Sequence, residues 1–378
     1  MKHYLLLLLS LWLCAPLCAQ TRLVVKVPAN TPPTDTLYVV GPFTGYNAAD
    51  SAWRLTKTSK GHYTITLPTT AEQPLLYRIT RGGWNRAEGD RNGKGMPMRV
   101  LPLKTIYTEQ IEVAGWVDMP RKFPETLSRQ VVQPDTVFTI PGLNRQRRIQ
   151  VYLPKGYQAR KNKQRYPVLY MLDGQNVFDY KRSFAGEWQV DEALDAAQGQ
   201  PWAQCIVVAV DNNSEHRMAE YAPWPHDRFT ESEGDATMRF LVDVVKPYVD
   251  ASYRTLADRN HTGIMGSSLG GLMSFYAVLT YPEVFSKAGL FSPSFWFGQD
   301  KAEELLSSFN KQHQFKIYLL MGELEGPMMV EPYQVLLERF QEAGFGTDEL
   351  VSEVDYLGQH HESFWARRFA DAMRWLYQ

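Results

Sequence analysis

Cysteine is scarce in this sequence, and its placement excludes a disulfide framework. Cys14 and Cys18 lie in the apolar N-terminal stretch, and Cys205 stands alone in the later run QCIVVAV. Once that stretch is removed, a single cysteine can form neither an internal disulfide nor a thiolate-rich metal site. We therefore predict that Cys205 is an inert core residue and that apolar cores hold the fold together.

An excess of charge of either sign is also missing. The 378 residues carry 40 Lys and Arg against 41 Asp and Glu, a formal net charge of -1. A net charge near zero gives no sign of the basic surface expected of a nucleic-acid-binding protein. The sequence contains no HExxH zinc motif, no acidic calcium loop and no phosphate-binding loop. We predict no metal, no cofactor and no nucleic-acid partner.

Long apolar runs are absent apart from one at the N-terminus. Lys2 and His3 precede an apolar stretch from Leu5 to Leu13, which is too short to span a bilayer. We predict that residues 1–19 are a signal peptide cleaved after Ala19, so that the protein is exported to the periplasm or beyond the cell. A retained membrane anchor and a lipid-modified cysteine are the alternatives, and we expect no stable membrane span.

The rest of the chain has two regions of different pattern. Residues 20–119 contain short alternating runs such as LVVKV, TLYVV and HYTITL separated by Gly and Pro, which predicts a small β-sandwich. Residues 120–136 are rich in proline and are predicted to be a linker. In residues 137–378, strand and helix patterns alternate, as in an α/β fold whose mostly parallel sheet is covered by helices on both faces.

A G-x-S-x-G motif indicates nucleophilic chemistry. It runs from Gly266 to Gly270 with Ser268 at its centre, after the apolar run HTGIMG and before the helical run GLMSFYAVLTY. A serine on a sharp turn between strand and helix exposes its oxygen, and the glycines leave room for that turn. A glycine-rich helix start without chemistry is the alternative. The flanking patterns favour Ser268 as a nucleophile.

The serine needs a general base and an acid that orients it. In this type of fold both follow the serine, each just beyond a later strand. Glu323 and Glu325 come after the apolar run KIYLLMG, and His360 and His361 follow VDYLGQ. The order agrees with the mechanism, but these patterns do not separate the two members of either pair.

Two backbone N–H groups should stabilise the oxyanion of the reaction. The residue after the nucleophile, Leu269, is expected to supply one of them. The other is expected from Gln175 in YPVLYMLDGQNVFD, where Gly174 allows close approach. The alternative for DGQN is an ordinary turn, because Asp, Gly and Asn favour turns.

Several motifs in order carry a family resemblance. The segments YPVLYMLDGQNVFD, GEWQVDEAL, IMGSSLGGLMSFYA, GLFSPSFW and GQHHESFW resemble the esterase family that includes enterochelin esterase, feruloyl esterase and esterase D-like enzymes. The resemblance covers nearly all of residues 137–378 and implies an α/β-hydrolase fold. In that family the acid often ends a Gly-x-x-acid turn, which implies Glu325. Its histidine lies five residues before a Trp, so Trp365 implies His360.

The N-terminal region resembles starch-binding-like and immunoglobulin-like β-sandwich domains, through LYVVGPF and LYRITRGGWNRAEGD. Trp84 matches a position at which such domains stack sugars, but Tyr46 replaces the Trp usual in the GPFTGYN turn. This departure favours a packing or docking role over sugar binding. Trp53 and Trp116 are expected in the core.

Two further tryptophans lie in segments that the family places around its active site. Trp188 in GEW and Trp296 in SPSFW are candidates for lining a substrate pocket. Each is equally compatible with a buried supporting role.

The combined prediction is an exported serine esterase that acts through an acyl-enzyme on acetyl or feruloyl groups of a polysaccharide. A siderophore esterase of the enterochelin type is the alternative within the same chemistry. An acyltransferase would use the same triad with a sugar or lipid acceptor in place of water. A non-catalytic carbohydrate-binding protein is the remaining alternative, and the set of Ser268, Glu325 and His360 argues against it.

Overall fold

The computed structural model describes residues 19–69, 74–101, 106–227 and 231–377. The predicted signal peptide lies outside this part of the chain except for Ala19, at which the first strand begins. The chain divides into two compact units, Met1–Arg121 and Lys122–Gln378. Within the described ranges, every helix is too short or too polar to cross a membrane.

The first unit is built from strands and short turns. Its strands are β1 (Ala19–Lys26), β2 (Tyr38–Val40), β3 (Thr56–Lys57), β4 (Tyr63–Thr69), β5 (Leu75–Thr80), β6 (Glu88–Gly89), β7 (Arg99–Leu101), β8 (Ile106–Glu112) and β9 (Gly115–Trp116).

Two sheets form the body of the first unit. One has the strand order β3-β4-β1-β8 and the other β2-β5-β7, and β6 pairs with β9. Alternate residues of β1, Leu23 and Val25, are fully buried, and the same core contains Leu67 of β4 and Ile79 of β5. The alternation of apolar and polar residues thus places one face of each sheet inward. This all-β unit confirms the predicted small sandwich.

The two tryptophans expected in this core differ in burial. Trp116 is fully buried, and its indole N–H donates to Thr31 Oγ1 at 2.9 Å. The Arg81 guanidinium lies 4.9 Å from the centre of the Trp116 ring. Trp53 is half-buried and packs edge-on against Phe43 with ring centres 4.6 Å apart. Trp116 therefore belongs to the centre of the core and Trp53 to its edge.

The second unit alternates strands and helices. Its strands are β10 (Val131–Val132), β11 (Phe138–Ile140), β12 (Arg145–Arg147), β13 (Ile149–Tyr152), β14 (Val168–Met171), β15 (Ile206–Val210), β16 (Thr262–Ser267), β17 (Lys287–Phe291), β18 (Lys316–Gly322) and β19 (Leu350–Asp355). Its helices are α1 (Val190–Ala196), α2 (Arg217–Glu220), α3 (Gly234–Phe240), α4 (Lys246–Ser252), α5 (Leu269–Thr280), α6 (Gln299–Ser308), α7 (Pro327–Glu342) and α8 (Glu362–Leu376), and a π-helical segment (Leu241–Val245) joins α3 to α4.

A mixed sheet with the order β10-β13-β15-β14-β16-β17-β18-β19 forms the centre of the second unit. The pairs from β15 to β19 are parallel, and β10 and β13 join antiparallel at one edge. Val168 and Tyr170 of β14 enter one core, and Leu169 and Met171 enter the other, which also holds the buried Cys205. Both faces of the sheet are therefore covered, which confirms the predicted α/β fold with a mostly parallel sheet.

The segment predicted as a linker differs in the structure. The division between the units falls after Arg121. Beyond it, Val131 of β10 pairs with Tyr152 in the central sheet, and the Ser128 N–H donates to Asp191 Oδ2 at 2.7 Å. Much of 122–136 is thus part of the second unit. An alternating apolar–polar pattern cannot be recognised in a strand of two residues. The prolines of this segment therefore predicted a linker instead.

The parallel strands bring four loops to one edge of the sheet. Ser268 follows β16, the turn Gly174–Asn176 follows β14, Glu325 lies three residues beyond β18, and His360 lies five residues beyond β19. Carboxyl ends of parallel strands meet on one side, where binding sites of open α/β sheets form. Residues far apart in the chain can therefore act together there.

The different burial of the two tryptophans in the first unit predicts different stability losses. Replacing Trp116 by Ala should lower the free energy of unfolding by about 3–5 kcal/mol, because a large cavity and an unpaired Thr31 hydroxyl remain. Replacing Trp53 by Ala should cost about half as much, since solvent can reach the gap. Differential scanning calorimetry of both variants checks this difference. Equal losses would contradict the assignment of Trp116 to the core centre.

Candidate active site

The G-x-S-x-G motif forms a strained turn between β16 and α5. Ser268 has φ 59° and ψ −125°, a conformation that non-glycine residues rarely adopt. The turn is held because the Ser268 N–H donates to the Phe291 carbonyl at 3.0 Å and the Ser268 carbonyl accepts from Leu272. A Cβ on Gly266 would lie 2.6 Å from the Gly270 carbonyl oxygen. Glycine is thus required there, and Ser268 is partly exposed between buried neighbours.

A buried carboxylate contacts the ring of His360. Nδ1 of His360 lies 2.6 Å from Oε2 of Glu325, and the Glu325 side chain is fully buried. A carboxylate at this position favours the tautomer with the proton on Nδ1, which leaves Nε2 able to accept a proton. The imidazole side chain is 37% exposed, so a substrate can approach it. The pair has the geometry of an acid that orients a general base.

A small network holds the Glu325 carboxylate. Its Oε1 accepts from the Ser292 hydroxyl at 2.5 Å and from the Gly322 N–H at 3.1 Å. The Trp365 indole N–H in turn donates to Ser292 Oγ at 2.9 Å. The Trp365 ring also packs edge-on against the His360 ring, with centres 5.1 Å apart. One tryptophan thus supports both the base and the acid.

Sequence reasoning missed Ser292 and Ser294, which follow β17. Ser292 has φ 43°, and its hydroxyl joins Trp365 to the carboxylate as described. Ser294 Oγ lies 3.2 Å from Ser268 Oγ. The segment SPS directly after a buried strand was an available signal, because it enters the same edge of the sheet as the motif serine.

The other members of the two ambiguous pairs have different surroundings. His361 is the N-cap of α8, and its Nδ1 accepts from the Ser363 N–H at 3.1 Å. Glu323 is exposed. Capping occupies the ring nitrogen of His361 that would otherwise face an orienting acid. The structure therefore brings Glu325 and His360 together, and not Glu323 and His361.

The two expected oxyanion donors lie at the start of α5 and in the turn that follows β14. Leu269 is the first residue of α5, and the N–H groups of a first helical turn lack intrahelical partners. Gln175 lies in the turn after Asp173, which has φ 57°. A Cβ on Gly174 would lie 2.6 Å from the Val210 carbonyl carbon, so this turn passes close to β15.

A cavity of about 400 Å³ opens beside Ser268 and His360. Polar and apolar groups share its wall. Its lining residues are Asp173, Gln175, Asn176, Phe184, Ala185, Asn212, Ser214, Arg217, Met218, Ser267, Ser268, His360, His361, Glu362 and Trp365. The motif serine, the histidine and the Gln175 turn therefore border one space in which a substrate can bind.

An ion pair lies in the wall of this cavity. Nε and Nη2 of Arg217 each donate at 2.7 Å, to Oδ1 and Oδ2 of Asp173 respectively. The guanidinium also lies 5.1 Å from the centre of the Tyr221 ring, whose hydroxyl accepts the Asp173 N–H at 3.1 Å. This bidentate pair holds the residue that precedes the Gln175 turn.

The structure does not support direct substrate contact for Trp188 and Trp296, which are absent from the cavity lining. Trp188 is 3% exposed and packs against Phe291 and Trp365, with ring centres 4.8 and 5.8 Å away. Trp296 is half-buried against the other core, near His226. These contacts favour the supporting role for both tryptophans, because their rings pack against residues of the two cores.

The first unit carries an exposed aromatic pair at the positions singled out in the sequence. Tyr46 is 52% and Trp84 42% exposed, and their ring centres are 6.4 Å apart. The Trp84 indole N–H donates to the Tyr46 carbonyl at 3.1 Å. The pair is thus held together by a hydrogen bond while both rings face solvent.

Known proteins similar to this chain include bacterial relatives. "Uncharacterized protein YbbA" of Bacillus subtilis is 28% identical over 245 residues, which is 61% of this chain and 92% of that protein. The "Endo-1,4-beta-xylanase/feruloyl esterase" of Xylanibacter ruminicola is 27% identical over 227 residues, 59% of this chain and 28% of that enzyme.

A solved structure and a family profile extend this similarity. The crystal structure of the enterobactin esterase from Shigella flexneri has a TM-score of 0.62 at 16% identity, and the match covers 91% of this chain and 88% of that one. At this identity the likeness shows the fold. The profile of the family described as "Putative esterase" matches residues 140–376, well over half of the chain. The chain therefore belongs to the "Putative esterase" family and is a carboxylic ester hydrolase.

Proposed function

We propose that this hydrolase uses Ser268 as nucleophile, His360 as general base and Glu325 as the orienting acid. The observation that carries the proposal is the 2.6 Å contact between His360 and the buried Glu325 carboxylate, next to the cavity that Ser268 lines. The strained backbone of Ser268 supports it, because such strain concentrates at functional sites.

The reaction then follows in two halves. Nε2 of His360 takes the Ser268 hydroxyl proton as Oγ attacks the ester carbonyl, and the N–H groups of Leu269 and Gln175 stabilise the oxyanion. The imidazolium gives its proton to the leaving alkoxide, and an acyl-serine remains. Water attacks this acyl group while His360 takes the water proton, and the proton returns to Ser268 as the acid leaves. Each oxyanion donor of this kind is worth about 3 kcal/mol.

The adjacent histidines provide a matched test of the triad. His360→Ala should lower kcat by about four to six orders of magnitude, close to the loss from Ser268→Ala, because triad members act as a unit. His361→Ala should lower it less than about tenfold, since this ring caps α8. Steady-state kinetics on a small chromogenic ester measures both. A larger loss in His361→Ala than in His360→Ala would contradict the assignment.

The substrate we propose is an acylated polysaccharide, with acetyl or feruloyl groups, met after export of the chain from the cell. The relative in Xylanibacter ruminicola is named as a xylanase and feruloyl esterase. The charges of the cavity wall also favour an uncharged ester, since Asp173 and Glu362 stand against the single guanidinium of Arg217 among the described lining residues. A ferric catecholate siderophore carries several negative charges and would be repelled.

A substrate panel distinguishes this proposal from its rivals. Acetylated xylan and feruloylated arabinoxylan should be hydrolysed with kcat/KM at least about tenfold above that of a ferric catecholate siderophore, because like charge in a cavity costs more than about 1.4 kcal/mol. Product analysis with added free sugar detects acyl transfer. Faster hydrolysis of the siderophore would support the siderophore alternative instead, and transfer exceeding hydrolysis would support the acyltransferase.

We also propose that the first unit binds sugar. The exposed Tyr46–Trp84 pair favours sugar contact over packing. Aromatic faces in solvent stack on pyranose rings. In a Ser268→Ala background, which prevents turnover, Trp84→Ala should reduce retention on insoluble xylan or starch by about tenfold, because one stacking face is lost. The control is Tyr356→Ala, which removes another exposed ring, 70% accessible, from the second unit. Unchanged retention in Trp84→Ala would favour the packing or docking role.

A further inference from the structure

Glu362 is a charged residue of the cavity wall that has no part in the proposed triad. It is the first residue of α8, two positions after His360, and it lines the cavity with Ser268. Only 7% of its surface is exposed. A carboxyl group in this position can interact with a substrate that enters the cavity.

The partner of Glu362 is a neutral amide. Nδ2 of Asn176 donates to Glu362 Oε1 at 3.2 Å, while Oδ1 of Asn176 accepts from the Phe184 N–H at 2.8 Å. Asn176 thus joins the Gln175 turn, the Phe184 loop and α8. The contact fixes the position of the carboxyl group and contributes no charge to balance it.

The other charged groups near Glu362 compensate its charge only in part, because Arg217 and His360 stabilise the carboxylate while Asp173 opposes them. Asp173, on the turn after β14, adds to the negative potential, and Arg217 of α2 is engaged by both Asp173 oxygens. His360 and His361 directly precede it in sequence, and His360 is held by Glu325. Within the described residues Glu362 forms no ion pair of its own.

We propose that Glu362 is a specificity-determining residue, whose ionised carboxylate repels anionic groups and so selects uncharged esters. This inference rests on the proposed function of the cavity and narrows its substrate class. The repulsion acts on binding of the acyl or alcohol part, and it therefore appears in KM more than in kcat.

The titration of Glu362 makes this selection depend on pH. Burial raises the pKa of the Glu362 carboxyl from the ordinary 4.5 to about 7. The nearby Asp173 adds to this rise, while the Glu362 backbone N–H, His360 and Arg217 lower the pKa. The helix N-terminus also favours the charged form, but burial outweighs it. Because the pKa of this acid is raised, the group is neutral below about pH 7 and charged above it. Discrimination against anions should grow as pH rises through this value.

The experiment compares two chromogenic esters that share a leaving group, one with an uncharged acyl group and one with a sulfonate on the acyl group. The sulfonate stays anionic throughout, and the titration of the triad cancels in the ratio of the two kcat/KM values. In the wild type this ratio, neutral over anionic, should rise about tenfold between about pH 6 and about pH 8. In Glu362→Gln it should stay at the low-pH value.

The matched control is Glu323→Gln, which removes the same charge from an exposed position outside the cavity and should behave as the wild type. If Glu362→Gln does not fold, Glu362→Ala gives the same test, because it also removes the carboxyl group and leaves a smaller side chain. A wild-type ratio that does not change with pH, or a rise that persists in Glu362→Gln, would overturn the inference. Failure of the proposed function would appear separately, as no turnover of the uncharged ester.

Discussion

A carboxylate without access to water, that of Glu325, must be stabilised by hydrogen bonds, and the candidate site is arranged around this requirement. Burying such a charge costs several kcal/mol unless donors surround it. The Ser292 hydroxyl, the Gly322 N–H and the His360 ring meet it, and Trp365 holds both Ser292 and the ring. Segments after β17, β18 and β19 are thereby fixed relative to one another, so that the imidazole is presented to the cavity in one tautomer and one orientation.

Backbone strain accompanies this arrangement at two neighbouring turns. Ser268 and Asp173 have φ of 59° and 57°, and they follow the adjacent parallel strands β16 and β14. Each such conformation costs about 1–3 kcal/mol, which the buried sheet and its two cores offset. In return, the nucleophile and the Gln175 turn are held in place before substrate arrives. Hydrogen-bond donors that are already in position need not reorganise during the reaction. This preorganisation is the main source of oxyanion stabilisation.

The sequence was most informative where a signal is local. Alternating strands and helices predicted the sheet, and the motif predicted the turn at Ser268, because both depend on neighbouring residues. The residue patterns could not separate His360 from His361, or Glu325 from Glu323, because burial and capping depend on segments distant in the chain. The family resemblance selected the pair that the structure brings together. Ser292 and Glu362 were missed for the same reason. Trp188 was left open between the pocket and the core because an aromatic residue beside an active-site loop suits either.

The central claim is that Ser268 is the nucleophile activated by His360. The most direct measurement is labelling of the full chain with a fluorophosphonate, which reacts with activated serines, followed by peptide mapping by mass spectrometry. The account predicts one phosphonyl group on Ser268 in the wild type and its near-complete loss in His360→Ala, with His361→Ala labelled as the wild type. A label on another residue, no label at all, or full labelling of Ser268 in His360→Ala would contradict it.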